Sequence, residues 1–398
     1  MPEVDAAAPR VSPLSPDELS AVLELRHRLH ARPEPAGSES VTVQILTEFL
    51  AGRFPDRIVS GVGGRGLAAV FTGEKPGPTV LFRAELDAVP VAEESGVSYA
   101  SKTPGLSHAC GHDGHMAILA GLAVRLARQR PACGKTVLLF QPAEETGEGA
   151  KRMLEDPSMA ELWPDWCFAL HNLPGFPLGT VLVRPGVFAC ASVGMRISLR
   201  GSSSHAAHPE EARSPAQLTA RLIAELHRLP SAFDFFSLLT VTHARLGEPG
   251  FGVTPGEAEI LLTLRAAGDE ALGHLCRAVR KRIEASARIA NLAATISSQE
   301  AFPALVNDPE AVSLVRRGAE ELGIEILEPQ EPFRWSEDFG RFTARTRGAM
   351  FAIGSGRTHP PLHSPPYDFP DRLLPTAVAV LERIDSRLHP EGKPGHLS

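Results

Sequence analysis

The chain has 398 residues, of which 43% are hydrophobic and 22% charged, and its formal net charge is −7. A chain of this length exceeds what one hydrophobic core usually serves, so we expect two domains. The negative charge gives no electrostatic reason to bind nucleic acid or an anionic membrane, and no segment approaches the roughly 20 apolar residues that span a bilayer. Small molecules are therefore the expected partners.

The first 13 residues contain acidic residues and prolines without the apolar stretch of a signal peptide, and we expect a short flexible leader there. The five cysteines are odd in number and scattered along the chain, which suits reduced thiols. Together these features predict a cytoplasmic protein.

After the leader, helices and strands are predicted to alternate. Apolar residues at helical spacing predict one helix from Ser15 that stops before Pro33 and a second over 40–54. Further elements follow in the order strand, strand, helix, strand, over 67–72, 79–83, 114–130 and 136–140. The last strand is apolar throughout, which is typical of a strand buried on both faces. This order predicts an α/β layer with a largely parallel or mixed sheet.

From about Ala191 the pattern changes to strands in which polar and apolar residues alternate. Two longer helical patterns, over 214–229 and 269–287, accompany these strands in the β-α-β-β-α-β order of a ferredoxin-like module. After Pro303 the first pattern returns. We therefore predict a discontinuous α/β catalytic domain, residues 1–190 and 303–398, with an inserted ferredoxin-like α+β domain at 191–302.

Metal-binding side chains crowd the segment Ser107–His115, immediately before the predicted helix. It holds one thiol, three imidazoles and one carboxylate. Cys110 and His112 flank a glycine, so both donors can point into one cavity while Gly111 lets the backbone approach an ion closely. This spacing predicts a metal site.

Further donors follow the ends of predicted strands, where ligand crevices form in open α/β sheets. They are Glu85 and Asp87, the adjacent Glu144 and Glu145, His171, and His363 in a proline-rich loop. Adjacent side chains on an extended segment point opposite ways, so one carboxylate of the Glu-Glu pair can bind a metal while the other moves a proton.

With these residues the chain resembles the dinuclear metal amidohydrolases that include aminoacylases, hippurate hydrolases and auxin-conjugate hydrolases. The matching segments cover essentially the whole chain, and the cysteine-containing segment resembles the hippurate-hydrolase branch in particular. The segments are Leu29-His30, 83–90, 108–115, 141–145, Leu170-His171, 201–207, 336–339 and 362–365.

The resemblance implies two divalent metal ions per subunit and Glu144 as the general base. Their ligands would be Cys110, His112, Glu145, His171 and His363. The soft thiolate beside harder ligands suits zinc, and the family is also found with manganese, cobalt or nickel. The resemblance further implies a zinc-peptidase-like catalytic domain, an inserted domain that acts as a lid, and a homodimer formed through that inserted domain.

Other residues have expected supporting roles. Asp87 is expected to orient a histidine ligand, and Asp113 and His115 are candidates for the same role. The family counterpart of His205 reaches into the partner subunit's active site and helps to bind the carbonyl oxygen as negative charge develops. Arg265 is a candidate for holding a substrate carboxylate by a bidentate pair, and a charge on a sheet face is the equal alternative.

Three positions depart from the family's usual pattern: Glu85, Gly252 and Ser214. These departures leave the metal ligands intact but put the substrate preference inherited from the family in doubt.

The sequence thus predicts metal-dependent hydrolysis of the amide bond of N-acyl amino acids or related small amides. One alternative is a cysteine-nucleophile amidase that uses Cys110 with His112 or His171 as base, which leaves Glu145 and His363 without a purpose. The other is a non-catalytic binding protein on the same fold. The intact Glu144-Glu145 pair argues against it, because a binding protein needs no proton shuttle.

Overall fold

The computed structural model describes residues 12–390, so the predicted leader lies outside the described residues except for Ser12 and Pro13. Short 3₁₀ helices lie at Pro209–Glu211, Leu229–Ala232 and Asp371–Leu373. The α-helices are α1 (Pro16–His30), α2 (Ser40–Ala51), α3 (His112–Arg128), α4 (Gly149–Glu155), α5 (Met159–Leu162), α6 (Ala216–Leu226), α7 (Asp269–Ile289), α8 (Pro309–Glu321), α9 (Gly340–Thr343) and α10 (Leu374–Leu388).

The strands form one mixed sheet, one antiparallel sheet and one two-stranded ribbon. They are β1 (Arg57–Val62), β2 (Gly66–Thr72), β3 (Lys75–Glu85), β4 (Cys133–Gln141), β5 (Trp166–Leu173), β6 (Val181–Leu182), β7 (Gly186–Ala189), β8 (Ala191–Arg200), β9 (Ser237–Leu246), β10 (Glu257–Ala266), β11 (Ala293–Phe302), β12 (Leu305–Asn307), β13 (Ile326–Leu327) and β14 (Arg347–Gly354). The predicted α/β fold class is confirmed, and β1, which pairs with β2, was not predicted.

The chain divides into two compact units. Of the described residues, the first unit contains those up to Phe188, Leu305–Glu331 and those from Asp338 onwards, and the second contains Ala189–Ala304 and Pro332–Glu337. The sequence-based boundaries, after residues 190 and 302, lie within two residues of the two main breaks. The short segment Pro332–Glu337 belongs to the second unit, which the sequence did not predict.

The first unit is built on the eight-stranded sheet, with strand order β1-β2-β4-β3-β5-β14-β6-β13. Its central strands β4, β3, β5 and β14 run parallel to one another. Helix α3 is buried along almost its whole length, and small and apolar residues fill nearly every position from Met116 to Leu126. Parallel strands end at the same edge of a sheet, so residues that follow β3, β4 and β5 are brought together.

The second unit is a four-stranded antiparallel sheet in the order β11-β8-β10-β9, with helices α6 and α7. Every second residue of β10 is buried, from Ala258 to Ala266, and α7 buries one apolar face that includes Leu275 and Val279. This strand order and the β-α-β-β-α-β connection are those of a ferredoxin-like fold. Among the described residues, no helix is both long and apolar enough to cross a membrane.

Candidate metal centre

The candidate ligands lie in the first unit, where the parallel strands end. Strand β3 ends at Glu85, β4 ends at Gln141, and His171 lies near the end of β5. Asp87, the Glu144-Glu145 pair and His171 therefore follow or end three neighbouring strands. The structure brings these residues together with the turn before α3, as the strand-end argument predicts.

The turn before α3 depends on Gly111. This residue is the N-cap of the helix and has a left-handed backbone with φ of 87°. A Cβ atom there would lie 2.0 Å from Oδ1 of Asn172, so a side chain has no room. The helix consequently begins at His112, two residues earlier than predicted, and Cys110 and His112 are held on either side of a tight turn.

The donor atoms of the five proposed ligands converge. Sγ of Cys110 lies 3.5 Å from Nε2 of His171. Oε1 of Glu145 lies 3.8 Å from Nε2 of His112 and 3.4 Å from Nε2 of His363. Among the described residues, five groups have all their donor atoms within 4.8 Å of one another. Three of them consist only of these ligands and Glu144: Cys110, His112 and His171; Cys110, Glu145 and His363; and His112, Glu144 and Glu145.

Two imidazole rings are oriented by backbone carbonyl groups. Nδ1 of His112 donates to the carbonyl oxygen of Asp87 at 2.8 Å, and Nδ1 of His171 donates to the carbonyl oxygen of Asn172 at 2.7 Å. In the neutral ring this leaves the lone pair on Nε2, which faces the other donors. We expected the carboxylate of Asp87 to orient a histidine ligand, but here its backbone carbonyl holds the ring, and its carboxylate is 3.7 Å from the ring nitrogen.

The donor set fits a divalent cation. Among the described residues, Nε2 of His112 is buried and has no hydrogen-bond partner. An unpaired buried polar atom is costly, and a cation in contact with it removes that cost. Thiolate, imidazole and carboxylate are together the ligands that zinc and similar ions take from proteins.

The electrostatics of Cys110 and His171 disfavour a cysteine nucleophile with a histidine base. Burial, with the charges of Glu145 and Glu144, raises the pKa of the Cys110 thiol well above its usual value. Burial, with neighbouring His115, lowers the pKa of His171 to about 3. A cysteine nucleophile needs the opposite shifts, a low thiol pKa and a base able to hold the proton.

The Glu144-Glu145 pair lies in a turn and not on an extended segment. Ala143 has a left-handed backbone with φ of 54°, and the amide of Gly147 donates to the carbonyl oxygen of Glu144 at 2.7 Å. Because the chain turns here, both carboxylates approach His112, and the expected opposite orientation is not observed. Glu144 is buried, with 6% of its surface exposed.

The two remaining predicted site residues lie in the second unit. His205 is exposed, and its Nδ1 accepts a hydrogen bond from the amide of Ala207 at 3.1 Å. Arg265 donates from Nη1 to Oγ of Ser336 at 2.8 Å and to the carbonyl oxygen of Arg334 at 3.1 Å.

Asp113 and His115 make their hydrogen bonds to groups other than the histidine ligands, although the ring of His115 packs against that of His171 with the ring centroids 4.7 Å apart. Nδ1 of His115 donates to the buried carboxylate of Glu85 at 2.7 Å, and its Nε2 lies 3.0 Å from Oδ1 of Asn172. Glu85, one of the three departures, also pairs with Arg83. The side chain of Glu85, longer than the usual aspartate, therefore lies in an ion-pair network with His115 and Arg83.

Asp113 instead binds Arg26 and His30, two residues of α1 that the sequence analysis did not assign to the site. Both are fully buried. The sequence did indicate that both are buried, because they lie four residues apart on the helix face that also buries Val22, Leu25 and Leu29. A charge on such a face needs a buried partner.

Comparison with known proteins agrees with this geometry. Residues 81–385 match the model of peptidase family M20/M25/M40. An N-acetyldiaminopimelate deacetylase of Lactiplantibacillus plantarum is 31% identical over 321 residues, 79% of this chain and 81% of that protein. An N-acetyl-L-cysteine deacetylase of Bacillus subtilis is 29% identical over 377 residues, 92% of this chain and 88% of that protein.

A crystal structure from Bacillus subtilis, described as a dinuclear metal binding peptidase from the M20 family, shares the fold. Its TM-score is 0.79 at 24% identity, over 94% of this chain and 98% of that one. The family match covers most of the chain, and it includes the turn before α3, the Glu-Glu pair and the loop of His363. The chain therefore belongs to peptidase family M20/M25/M40 and is a hydrolytic enzyme.

Proposed function

We propose that the enzyme hydrolyses the amide bond of N-acyl amino acids or related small amides at the cluster of Cys110, His112, Glu145, His171 and His363. The observation that carries this proposal is the convergence of these five donors beside a sixth group, Glu144, which is buried and adjacent to two of them. The membership of the chain in a family of metal-dependent amide hydrolases supports it.

Two divalent ions bound at these donors would supply Lewis-acid polarisation of the amide carbonyl and a more acidic water. Zinc or manganese is proposed, with cobalt and nickel as further candidates. Glu144 takes the proton of the attacking water and returns it to the leaving amine. Its position in a turn beside His112 places its carboxylate at the cluster, and its burial keeps competing bulk water away.

The substrate class is proposed from the relatives, whose names describe removal of an acetyl group from an amino-acid nitrogen. Arg265 is proposed to bind the substrate carboxylate, and His205 to bind the carbonyl oxygen in the active site of a partner subunit. A homodimer through the second unit is part of this proposal, and β9, an outer strand with exposed Leu238 and Leu246, supports it.

A cytoplasmic location completes the proposal. It is supported by the cysteines, which are all free thiols: Cys110, Cys133, Cys167, Cys190 and Cys276. A reducing compartment keeps such thiols available, and Cys110 needs its thiol to serve as a ligand.

The test removes the metal and varies the substrate. Protein stripped by a strong chelator is assayed with N-acetyl, N-benzoyl and indole-acyl amino acids, before and after addition of Zn²⁺, Mn²⁺, Co²⁺ or Ni²⁺. We expect hydrolysis to disappear with the metal and to return with at least one ion.

A matched pair of variants separates the two hydrolytic chemistries. Cys110→Ser should lower metal content as well as turnover, whereas Cys276→Ser, a substitution on α7 of the second unit, should change neither. Full turnover in protein shown by elemental analysis to be free of metal would overturn the proposal and favour Cys110 as a nucleophile.

A further inference from the structure

Arg26 is a fully buried arginine whose guanidinium contacts three carboxylates. Its Nη1 lies 2.9 Å from Oδ2 of Asp113 and 2.9 Å from Oδ1 of Asp368, and its Nε lies 2.5 Å from Oδ1 of Asp371. Its Nη2 donates to the hydroxyl of Tyr99 at 2.6 Å. The charges of the three carboxylates stabilise the buried guanidinium against the cost of desolvation.

These contacts join two segments that carry proposed ligands. Asp113 directly follows His112 in the first turn of α3. Asp368 lies in the connection between β14 and α10 that also contains His363. One nitrogen atom of Arg26 therefore bridges the segment of His112 and the loop of His363.

The loop of His363 is tied to the rest of the first unit at several points. His363 has a left-handed backbone with φ of 58°, and half of its side chain is exposed. Its amide donates to the carbonyl oxygen of Ala109 at 2.8 Å, which ties one point of the loop to the turn before α3. The loop is also held at Pro365, whose carbonyl oxygen accepts from the amide of Glu94 at 2.7 Å, and at Tyr367, whose hydroxyl accepts from Nδ2 of Asn172 at 2.7 Å. Arg26 adds a charge-assisted tie through Asp368.

The hydroxyl of Tyr99 strengthens the contact between Arg26 and Asp368. It donates to Oδ2 of Asp368 at 2.7 Å while it accepts from Arg26, so both oxygens of Asp368 are bound. The planar fork of arginine is suited to several carboxylates at once, whereas the single ammonium of lysine is not.

We propose that Arg26 is a positioning residue that sets the affinity of the ion shared by Cys110, Glu145 and His363. This inference rests on the proposed metal site. The groups Cys110-His112-His171 and His112-Glu144-Glu145 do not include His363. Their residues lie in the turn before α3, in the Glu-Glu turn and on β5. Without Arg26, Asp113 keeps its contact with His30 and His112 keeps its hydrogen bond to the carbonyl oxygen of Asp87. Loosening the loop of His363 therefore weakens one of the two ions and leaves the other in place.

The experiment titrates Zn²⁺ into chelator-stripped protein by calorimetry, against a competing chelator, and confirms ion content by elemental analysis. Three variants are compared with the wild type: Arg26→Lys, Asp368→Asn and the control Arg125→Lys. Arg125 also forms an ion pair from α3, 2.5 Å from Glu382 of α10, but contacts neither segment that Arg26 joins. Thermal melting is recorded for each variant.

We expect two ions in the wild type and in Arg125→Lys. In Arg26→Lys and in Asp368→Asn, one ion should bind as in the wild type and the other about 10- to 100-fold more weakly, the usual effect of losing a group that orients a metal ligand. If Arg26→Lys does not fold, Asp368→Asn decides, because Asp368 is partly exposed and its loss leaves Arg26 with two carboxylates.

Two results would overturn the inference. One is wild-type affinity for both ions in both variants, and the other is equal weakening of both ions together with a lower melting temperature, which indicates a general structural role. Failure of the wild type itself to bind Zn²⁺ would instead contradict the proposed function on which the inference rests.

Discussion

The carboxylate of Asp87 accepts a hydrogen bond from the backbone amide of Glu145 at 3.0 Å, which fixes the end of β3 to the turn that follows β4. The carbonyl oxygen of the same Asp87 accepts from His112. One residue thus positions two proposed ligands, one through its side chain and one through its backbone. Burial, together with the charge of Glu145, raises the pKa of Asp87 to about 7 against the opposing effect of His112.

The first prediction separates Glu144 from Glu145. Glu144→Gln should keep its bound metal but lose a factor of about 10²–10⁴ in turnover, the usual range for removal of a general acid-base group. Glu145→Gln should lose metal affinity as well, because its carboxylate lies between His112 and His363. Steady-state kinetics and elemental analysis measure the two effects. Loss of metal in Glu144→Gln alone would invert the assignment.

The second prediction concerns the turn at Gly111. Gly111→Ala should lower the free energy of unfolding by about 2–5 kcal/mol, since a left-handed backbone costs a side chain about 1–2 kcal/mol and overpacking adds about 1–3 kcal/mol. The control is Gly105→Ala, which has φ of 75° in open space and should cost only the backbone part. Urea denaturation measures both. Equal losses in the two variants would show that the close approach of Asn172 is unimportant.

The third prediction is a pH dependence of stability that originates at His30. Its Nδ1 lies 2.8 Å from Asp113 and its Nε2 lies 3.0 Å from Glu93, and both carboxylates stabilise the charged ring. Burial opposes that charge, but the charge of Asp113 and these hydrogen bonds raise the pKa of His30 from 6.5 to about 10.

The sign of the effect follows from proton linkage. Between pH 6.5 and 10 the folded chain holds a proton on His30 that the unfolded chain has lost. Stability is therefore fully present below pH 6.5 and falls as the pH rises, by at most about 1.4 kcal/mol per pH unit from this group. His30→Gln should be less stable at pH 6 and should lose this slope. The check is urea denaturation of metal-free protein from pH 6 to 9, in which parallel profiles for the two proteins would contradict the prediction.

The fourth prediction tests whether His205 acts in a partner subunit. Dimers of His205→Ala and dimers of Glu144→Gln should each be nearly inactive, the former by about 3 kcal/mol of transition-state stabilisation, typical of one lost oxyanion donor. Mixed dimers should regain activity, because one of their sites combines an intact Glu144 with an intact His205.

The matched control for this experiment is His208→Ala. His208 is also exposed, and its ring centroid lies 6.2 Å from that of His205. This variant should keep its activity without mixing. If the mixed dimers stay inactive after mass spectrometry has shown subunit exchange, His205 acts in its own subunit or has no part in catalysis.

The sequence by itself indicated candidate donors and the edge of the sheet at which the structure brings them together. Apolar periodicity is a local property, so β4 and α3 could be recognised from neighbouring residues alone. The rule that parallel strands end at one edge then placed Asp87, Glu145 and His171 together. The spacing of Cys110 and His112 around a glycine was equally local.

Only the tertiary structure decided which group faces which. It showed that Asp87 orients His112 through a backbone carbonyl, and that Glu144 and Glu145 share a turn. It also paired Arg26 with Asp368, which lies 342 positions away along the chain. A buried charge requires a partner, but the sequence does not specify which of many distant carboxylates it will meet, because that choice is made by the packing of α1 against the rest of the first unit.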